Sequence, residues 1–392
     1  MIASYPNAYL ADAATFDDVM QLSETEFYQA ETLLNAYTAG MTLAVFQRMG
    51  LFRAATDGYT PDALKAAIGL APEHSRLLDA LLDILERSQY LTRTADRYVA
   101  TALVDTADTQ QQLRNYRDHQ QETLYMSAAA WAFIEATVRL EAICFEAMPD
   151  MLAGRRTYLD VMFPNGDLTL VAAIYKGTIQ QYLNGRVASR VRELVEEKLA
   201  LYGSVTLLEV GAGTGGTTAL IFKELESLNP NALTYWYTDI SAGFTRVGKR
   251  EFGARYPFVQ YKPLDINRPV DAQGFVPGSV DIVICNNVLH ATPSMAGALT
   301  HTSQLLRDGG HVVVNDLTQR LDFNTVTFGF TREWWNFTDP EWRIPHAPVL
   351  TNRAWRKLLA EYNYTHVTVE GVPGMPEEKL HQSLIVAQLS QP

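Results

Sequence analysis

Three glycines at alternate positions, Gly211, Gly213 and Gly215, sit directly behind the apolar run Val205–Val210 in the stretch VTLLEVGAGTGGTT. Glycines so spaced let the backbone turn sharply and let a ligand approach main-chain N–H groups with no Cβ in the way. Gly211, Gly213 and Gly216 also satisfy G-x-G-x-x-G, and Asp239 lies at about the offset of a ribose-binding acid, so NAD is one reading. Glu209, two residues before the first glycine, favours another. A pyrophosphate there would meet a carboxylate, whereas a cofactor with a cationic centre and an α-amino group would be attracted to one. S-adenosylmethionine (SAM) is such a cofactor.

The loop needs a strand before it and a helix after it, and the flanking sequence offers both. Val205–Val210 is short enough for a buried strand, and TTALIFKELESL behind the glycines has helical spacing. Leu233–Thr238 reads as a second strand ending at Asp239, whose carboxylate can accept from both ribose hydroxyls; a third ends between Tyr261 and Asp265. Val280–Cys285 is apolar without alternation, as a strand covered on both faces is, and Asn286, Asn287 and His290 leave its C-terminal end. That edge is where ligands bind in open α/β sheets. Gly309-Gly310 is expected to turn the chain into a strand at His311–Asn315, with Val367–Gly371 and Leu384–Leu389 as a late antiparallel pair. The expected fold is a doubly wound α/β sheet of the class I SAM-methyltransferase type, with a mainly helical, winged-helix-like domain in front.

The 392 residues, 47% hydrophobic and 19% charged, suffice for two packed domains. A formal net charge of −12 argues against nucleic acid or an anionic membrane as partner. Cys144 and Cys285 lie far apart and have no metal-ligand spacing, so neither a disulfide framework nor a metal site is expected. The N-terminus lacks the basic segment and apolar core of a signal peptide, and no run is apolar enough to span a bilayer, so a cytoplasmic protein is expected. Glu24–Gly50, a helix opened by Thr60-Pro61-Asp62 and stopped at Gly69, a leucine-rich helix within 71–91 and a strand at Tyr98–Ala100 form a winged-helix pattern. Acidic residues (Glu73, Asp79, Asp83, Glu86) outnumber Arg76 and Arg87 on its third helix, the wrong balance for DNA phosphates. Leu77, Leu78, Leu81 and Leu85 repeat on one face and predict a homodimer. Residues 105–185, with Tyr125, Trp131, Phe133 and Phe145, are expected to be a helical lid, giving a division into 1–104, 105–185 and 186–392.

The segment GLFRAATDGYTPDALKAAIGL, with SRLLDALLDILERSQYL and DRYVAT, resembles the winged-helix dimerisation domain of small-molecule O-methyltransferases. From Phe163 to about Leu359 the chain resembles the C-methyltransferase domain of polyketide synthases. FPNGDLTLVAAIYKGTIQQYLN, LLEVGAGTGGTT, YTDISAGF, VDIVICNNVLHAT, LLRDGGHVVVNDLT and FGFTREWWNF carry that likeness. The resemblance implies SAM as cofactor and cofactor contacts from Tyr182, Glu209, the loop glycines, Asp239, Ile240, Leu264, Asp265 against the adenine amine, Ile266, Asn286 and Asn287. Phe328 and Trp335 would roof the substrate cavity. The acceptor is expected to be a small molecule or a thioester-tethered acyl group, carried by an acyl carrier protein or by CoA.

His290 and Asp316 are the catalytic candidates. Methylating carbon needs a carbon nucleophile, and a proton between two carbonyls is within reach of a base titrating near neutrality, as histidine does. Asp316, at the end of the next strand, can bond the other imidazole nitrogen and stabilise the imidazolium; the family carries a glutamate there. A SAM-dependent C-methyltransferase acting on the α-carbon of a β-keto acyl thioester is the leading expectation. O-methylation, with His290 deprotonating a hydroxyl, and a non-methylating, pericyclase-like protein of the same fold are the alternatives.

Overall fold

A computed structural model describes residues 24–106, 128–162 and 178–390. Tyr125 and residues 163–177 of the motif that opens at Phe163 lie outside the described residues, as do the side chains of Trp131 and Phe133.

The chain forms two compact units, one running through Gln180 and taking in Arg320–Trp335, the other made of Gln181–Gln319 and the chain from Asn336 onward. The helical unit contains α1 (Glu24–Arg48), α2 (Pro61–Ile68), α3 (Ser75–Arg87) and α4 (Ala128–Leu152), with β1 (Gly58–Tyr59), β2 (Leu91–Arg93) and β3 (Tyr98–Ala100) paired antiparallel in the order β1-β3-β2. Thr60 caps α2 by accepting from the N–H of Ala63, and Gly69, at φ 65°, closes it where a Cβ would be strained. The leucines of α3 that predict a dimer, Leu77, Leu78, Leu81 and Leu85, are all buried within the chain itself. Their stripe is therefore not an exposed surface.

The two units differ from the expected three-part division, and α3 supplies the reason. Arg87 bonds both Asp83 (2.9 Å) and Asp322 (2.6 Å), and Arg320 reaches Asp83 at 2.5 Å. Arg76 donates to the carbonyl of Trp335 and lies over its ring, 5.7 Å from the centroid. These bonds hold residues 320–335 to the helical unit although their neighbours in sequence belong to the sheet.

In the sheet unit, α5 (Thr178–Tyr202) precedes β4 (Val205–Val210), α6 (Gly216–Leu225), β5 (Leu233–Asp239), α7 (Ala242–Phe252), β6 (Val259–Pro263), β7 (Val280–Asn286), α8 (Met295–Leu305), β8 (Leu306–Leu317), α9 (Asn352–Glu361), β9 (Tyr364–Glu370) and β10 (Gln382–Leu389). The strand order is β6-β5-β4-β7-β8-β10-β9, parallel from β6 to β8, with β10 antiparallel to both its neighbours. The chain moves outward from β4 to β6, then returns to place β7 beside β4. That reversal is the switch point at which open α/β sheets leave a crevice above their C-terminal strand ends. Leu207, Ile282, Ile284 and Val313 pack with Val191, Val195 and Phe222 on one face; Leu208, Val283, Cys285 and Val314 pack with Leu299, Trp355 and Leu358 on the other. Both faces are covered, which accounts for the unbroken apolar run in β7.

Gly309-Gly310 is not a turn before a strand, contrary to the expectation. β8 already begins at Leu306 and passes through the pair as a bulge, with Val280 opposite Leu306 but Ile282 opposite His311. A Cβ on Gly310 would lie 2.9 Å from the carbonyl oxygen of Arg307 and 3.1 Å from that of Asp281, so only glycine permits the close pairing. No helix among the described residues is long and apolar enough to cross a membrane.

Candidate active site

The glycine loop is held mainly by β5. Tyr237 donates its hydroxyl to the carbonyl of Gly213 at 2.8 Å, and Asp239 Oδ2 accepts the N–H of the same glycine at 3.0 Å. The other carboxylate oxygen of Asp239 accepts the N–H of Ser241 at 2.8 Å, at the start of α7. Gly211, Gly213 and Gly215 have φ of 66°, 56° and 84°. A Cβ on Gly211 would come within 2.6 Å of Val288, and one on Gly215 within 2.6 Å of Phe252; one on Gly213 would approach nothing nearer than 3.9 Å. Two of the glycines therefore allow close internal packing, while the third faces open space. Gly211→Ala is expected to cost about 1–3 kcal/mol through the clash and the positive φ. Adding Val288→Ala should recover part of this in urea unfolding, since it removes the clash and leaves the strain. A Gly211→Ala protein as stable as wild type would show that the loop does not depend on this contact.

Glu209 is buried, and its Oε2 accepts from the hydroxyls of Thr218 (2.7 Å) and Tyr235 (2.8 Å). Burial pushes its pKa up to about 7; the two hydroxyls work against that rise and Asp239 adds to it. In this arrangement the carboxyl ties the first turn of α6 to β5.

The remaining expected cofactor residues fall into different environments. Ile240 is 68% exposed directly after Asp239, presenting an apolar face to a ligand. Leu264 and Ile266 are buried in the core, so they can offer a ligand main chain only; the N–H of Leu264 already bonds the carbonyl of Asp239 at 3.0 Å. Asp265 lies between them, half-buried, its Oδ1 accepting from the main chain and side chain of Asn267. Tyr182 is 9% exposed on α5, and burial raises the pKa of its phenol. Phe328 and Trp335 belong to the helical unit, where the indole N–H of Trp335 donates to the carbonyl of Gly329 at 2.6 Å.

Asn286 sits in an amide network that sequence reasoning missed. It donates to Asn184 (3.2 Å) and Thr217 (2.5 Å) and accepts from Asn315 (2.6 Å); Gln382 then donates to Asn315 (3.0 Å) and Asn287 (3.3 Å). The network links α5, α6, β7, β8 and β10 at the crevice. No spacing rule would reveal it, because its members come from distant parts of the chain.

His290 and Asp316 do meet. Asp316, completely buried at the end of β8, places Oδ1 2.5 Å from His290 Nδ1, while its Oδ2 accepts the main-chain N–H of His290 at 3.1 Å. The N–H of Leu317 donates to Oδ1 at 2.8 Å. The aspartate arm is short, yet it reaches because His290 lies on a one-turn helix, Leu289–Ala291, pressed against the strand end. With Nδ1–H donated to a carboxylate, the neutral ring carries its basic lone pair on Nε2.

The methyltransferase-domain family matches residues 208–312, from the end of β4 into β8. The solved DszA carbon methyltransferase superposes with a TM-score of 0.84 at 32% identity, over 95% of this chain and 96% of that one. The chain belongs to the carbon methyltransferases. The CurJ carbon methyltransferase gives a TM-score of 0.81 at 31% identity, over 96% of each chain. Among curated relatives, the polyketide synthase ThaG of Burkholderia thailandensis is 34% identical over 349 residues, which are 88% of this chain and 6% of ThaG. The chain thus corresponds to a small part of that relative's length.

This carbon methyltransferase has the class I SAM-methyltransferase fold, which implies SAM as its cofactor. The residues fit that group on their own chemistry: the crevice has an open glycine at Gly213, an acid at Asp239 for ribose hydroxyls and exposed apolar surface at Ile240.

Proposed function

We propose that this carbon methyltransferase methylates the α-carbon of a β-keto acyl thioester in polyketide-type secondary metabolism. The observation that carries the reading is the His290–Asp316 pair at the C-terminal edge of β7 and β8. His290 Nε2 takes the proton lying between the two substrate carbonyls, and buried Asp316 holds the ring tautomer and stabilises the resulting imidazolium. Bound SAM supplies the electrophilic methyl group. Asp239 would hold the cofactor's ribose hydroxyls beside the open face of Gly213, and Glu209 would balance cationic charge near its amino-acid end.

The thioester is supported by the polyketide synthases among the relatives, and an acyl carrier protein would deliver it. Such carriers are acidic. Arg246, Lys249 and Arg250 share one exposed face of α7, a local basic surface within a chain of net charge −12. A homodimer rests on the resemblance of the first hundred residues to O-methyltransferases, because the leucines of α3 are covered within the chain. Sedimentation at micromolar concentration should give twice the mass of the chain, and a stable monomer removes the dimer.

Mass spectrometry of β-keto thioesters incubated with methyl-labelled SAM tests the reaction. The label is expected on the α-carbon. Label on oxygen instead would replace this reading with O-methylation, and no transfer to any activated acyl substrate would favour a SAM-binding protein without methyl transfer.

A further inference from the structure

We propose that Arg343, held by Asp339, is a positioning residue that fixes the His290 turn in its reactive orientation. This rests on the reading of His290 as the base. The starting point is how little the turn can do for itself. Leu289–Ala291 is one turn of 3-10 helix, entered through Asn287 at a left-handed φ of 50°, and a single turn has too few internal bonds to define its own orientation.

The bonds that define it come from a segment more than 40 residues later in the sequence. The Arg343 side chain is 1% exposed. Its Nη1 donates to the carbonyl of His290 itself at 3.0 Å and to that of Pro348 at 2.5 Å; its Nη2 donates to the carbonyl of Thr292 at 3.0 Å. Nε bonds Asp339 Oδ1 at 2.8 Å, and Nη2 lies 3.3 Å from Asp339 Oδ2. Asp339 Oδ2 also accepts the N–H of Met295 at 2.7 Å, at the start of α8, and the N–H of Thr338 donates to the carbonyl of Pro293 at 2.8 Å. The main chain from His290 to Met295 is thereby gripped from one side by Arg343, Asp339 and Thr338, while Asp316 grips the ring and the N–H of His290 from the other.

A planar guanidinium can serve several carbonyls and a carboxylate together; an ammonium, a point charge on a flexible stem, cannot reproduce that fork. Burying such a pair costs desolvation that apolar side chains would avoid, so its value lies in geometry more than in stability. A displacement of about 1 Å at a catalytic group costs on the order of 100-fold in rate.

The test is Arg343→Lys in the full chain. SAM affinity by calorimetry should stay within about twofold and KM for the thioester should change little, while kcat falls roughly 10- to 100-fold. In proton NMR with 15N-histidine labelling, the far-downfield Nδ1–H signal of His290, set by its bond to Asp316, should weaken or vanish. Asp339→Asn keeps an acceptor for Met295 but loosens the guanidinium, and should show the same pattern less strongly. Unchanged kcat and an unchanged Nδ1–H signal in Arg343→Lys overturn the proposal. Loss of SAM binding in both variants also overturns it, because the pair would then hold the fold and not the turn. The NMR signal reports ring placement whether or not His290 is the base. Failure of the base reading shows separately, as retained turnover in His290→Ala.

Discussion

Replacing His290 with alanine is expected to leave SAM binding intact and to cut turnover roughly a hundred- to ten-thousand-fold, the usual consequence of removing a general base. The glycine loop is held by Tyr237 and Asp239, so calorimetry with SAM should be close to wild type. Asp316→Asn should lose less activity than His290→Ala. It preserves the shape, but with one oxygen in place of two it keeps only one of the N–H bonds from His290 and Leu317, weakens imidazolium stabilisation and can present an amide N–H to Nδ1. In heavy water without SAM, wild type should exchange the α-proton of a β-keto thioester, and His290→Ala should not once spontaneous exchange is subtracted. Equal exchange by both proteins would remove His290 as the base, as would wild-type methylation by His290→Ala.

Glu209→Gln is expected to stabilise the SAM-free protein above neutral pH by a figure approaching about 3 kcal/mol, the equivalent of raising a carboxyl from its ordinary 4.5 to about 7. The sign follows from linkage. A carboxyl whose folded pKa lies above its unfolded value imposes no cost below the unfolded pKa, where both states are protonated. The cost grows between about 4.5 and 7 and is complete above that, because the folded state must then hold a buried anion. Glutamine keeps an oxygen that accepts from Thr218 and Tyr235 and has no charge to bury. Wild type should therefore lose stability relative to Glu209→Gln as pH rises through that window. Saturating SAM should narrow the gap, since a cation near the carboxyl favours its ionised form. Urea unfolding at pH 5 and pH 8, with and without SAM, measures all of this; a wild-type-minus-variant difference that stays flat with pH would contradict the burial argument.

The sequence alone determined the sheet unit to a large extent. Val205–Val210 as the strand before the glycines, Asp239 at the end of the next strand, and Asn286, Asn287 and His290 leaving β7 all follow from patterns only a few residues long. Such patterns are readable because strand burial, glycine φ and strand-end placement are local properties. The bulge at Gly309-Gly310 was misread as a turn because a pair of glycines serves either purpose, and only the pairing of β8 with β7 distinguishes them. The leucines of α3 suggested an interface because helical periodicity gives the direction of an apolar face without saying what covers it.

Tertiary structure decided the rest, wherever a side chain's role depends on a partner distant in sequence. Glu209 became a buried link between α6 and β5 because Thr218 and Tyr235 converge on it. Leu264 and Ile266 withdrew into the core while Ile240 stayed exposed, a choice made by packing and not by residue type. The amides of Asn184, Asn286, Asn315 and Gln382 came together from four elements, and Arg343 reached back to the carbonyl of His290. Sequence could pair His290 with Asp316, since a histidine and an aspartate at neighbouring strand ends are legible one strand at a time. What holds them 2.5 Å apart is a set of long-range hydrogen bonds, and these exist only once the sheet has brought the ends of β7 and β8 together.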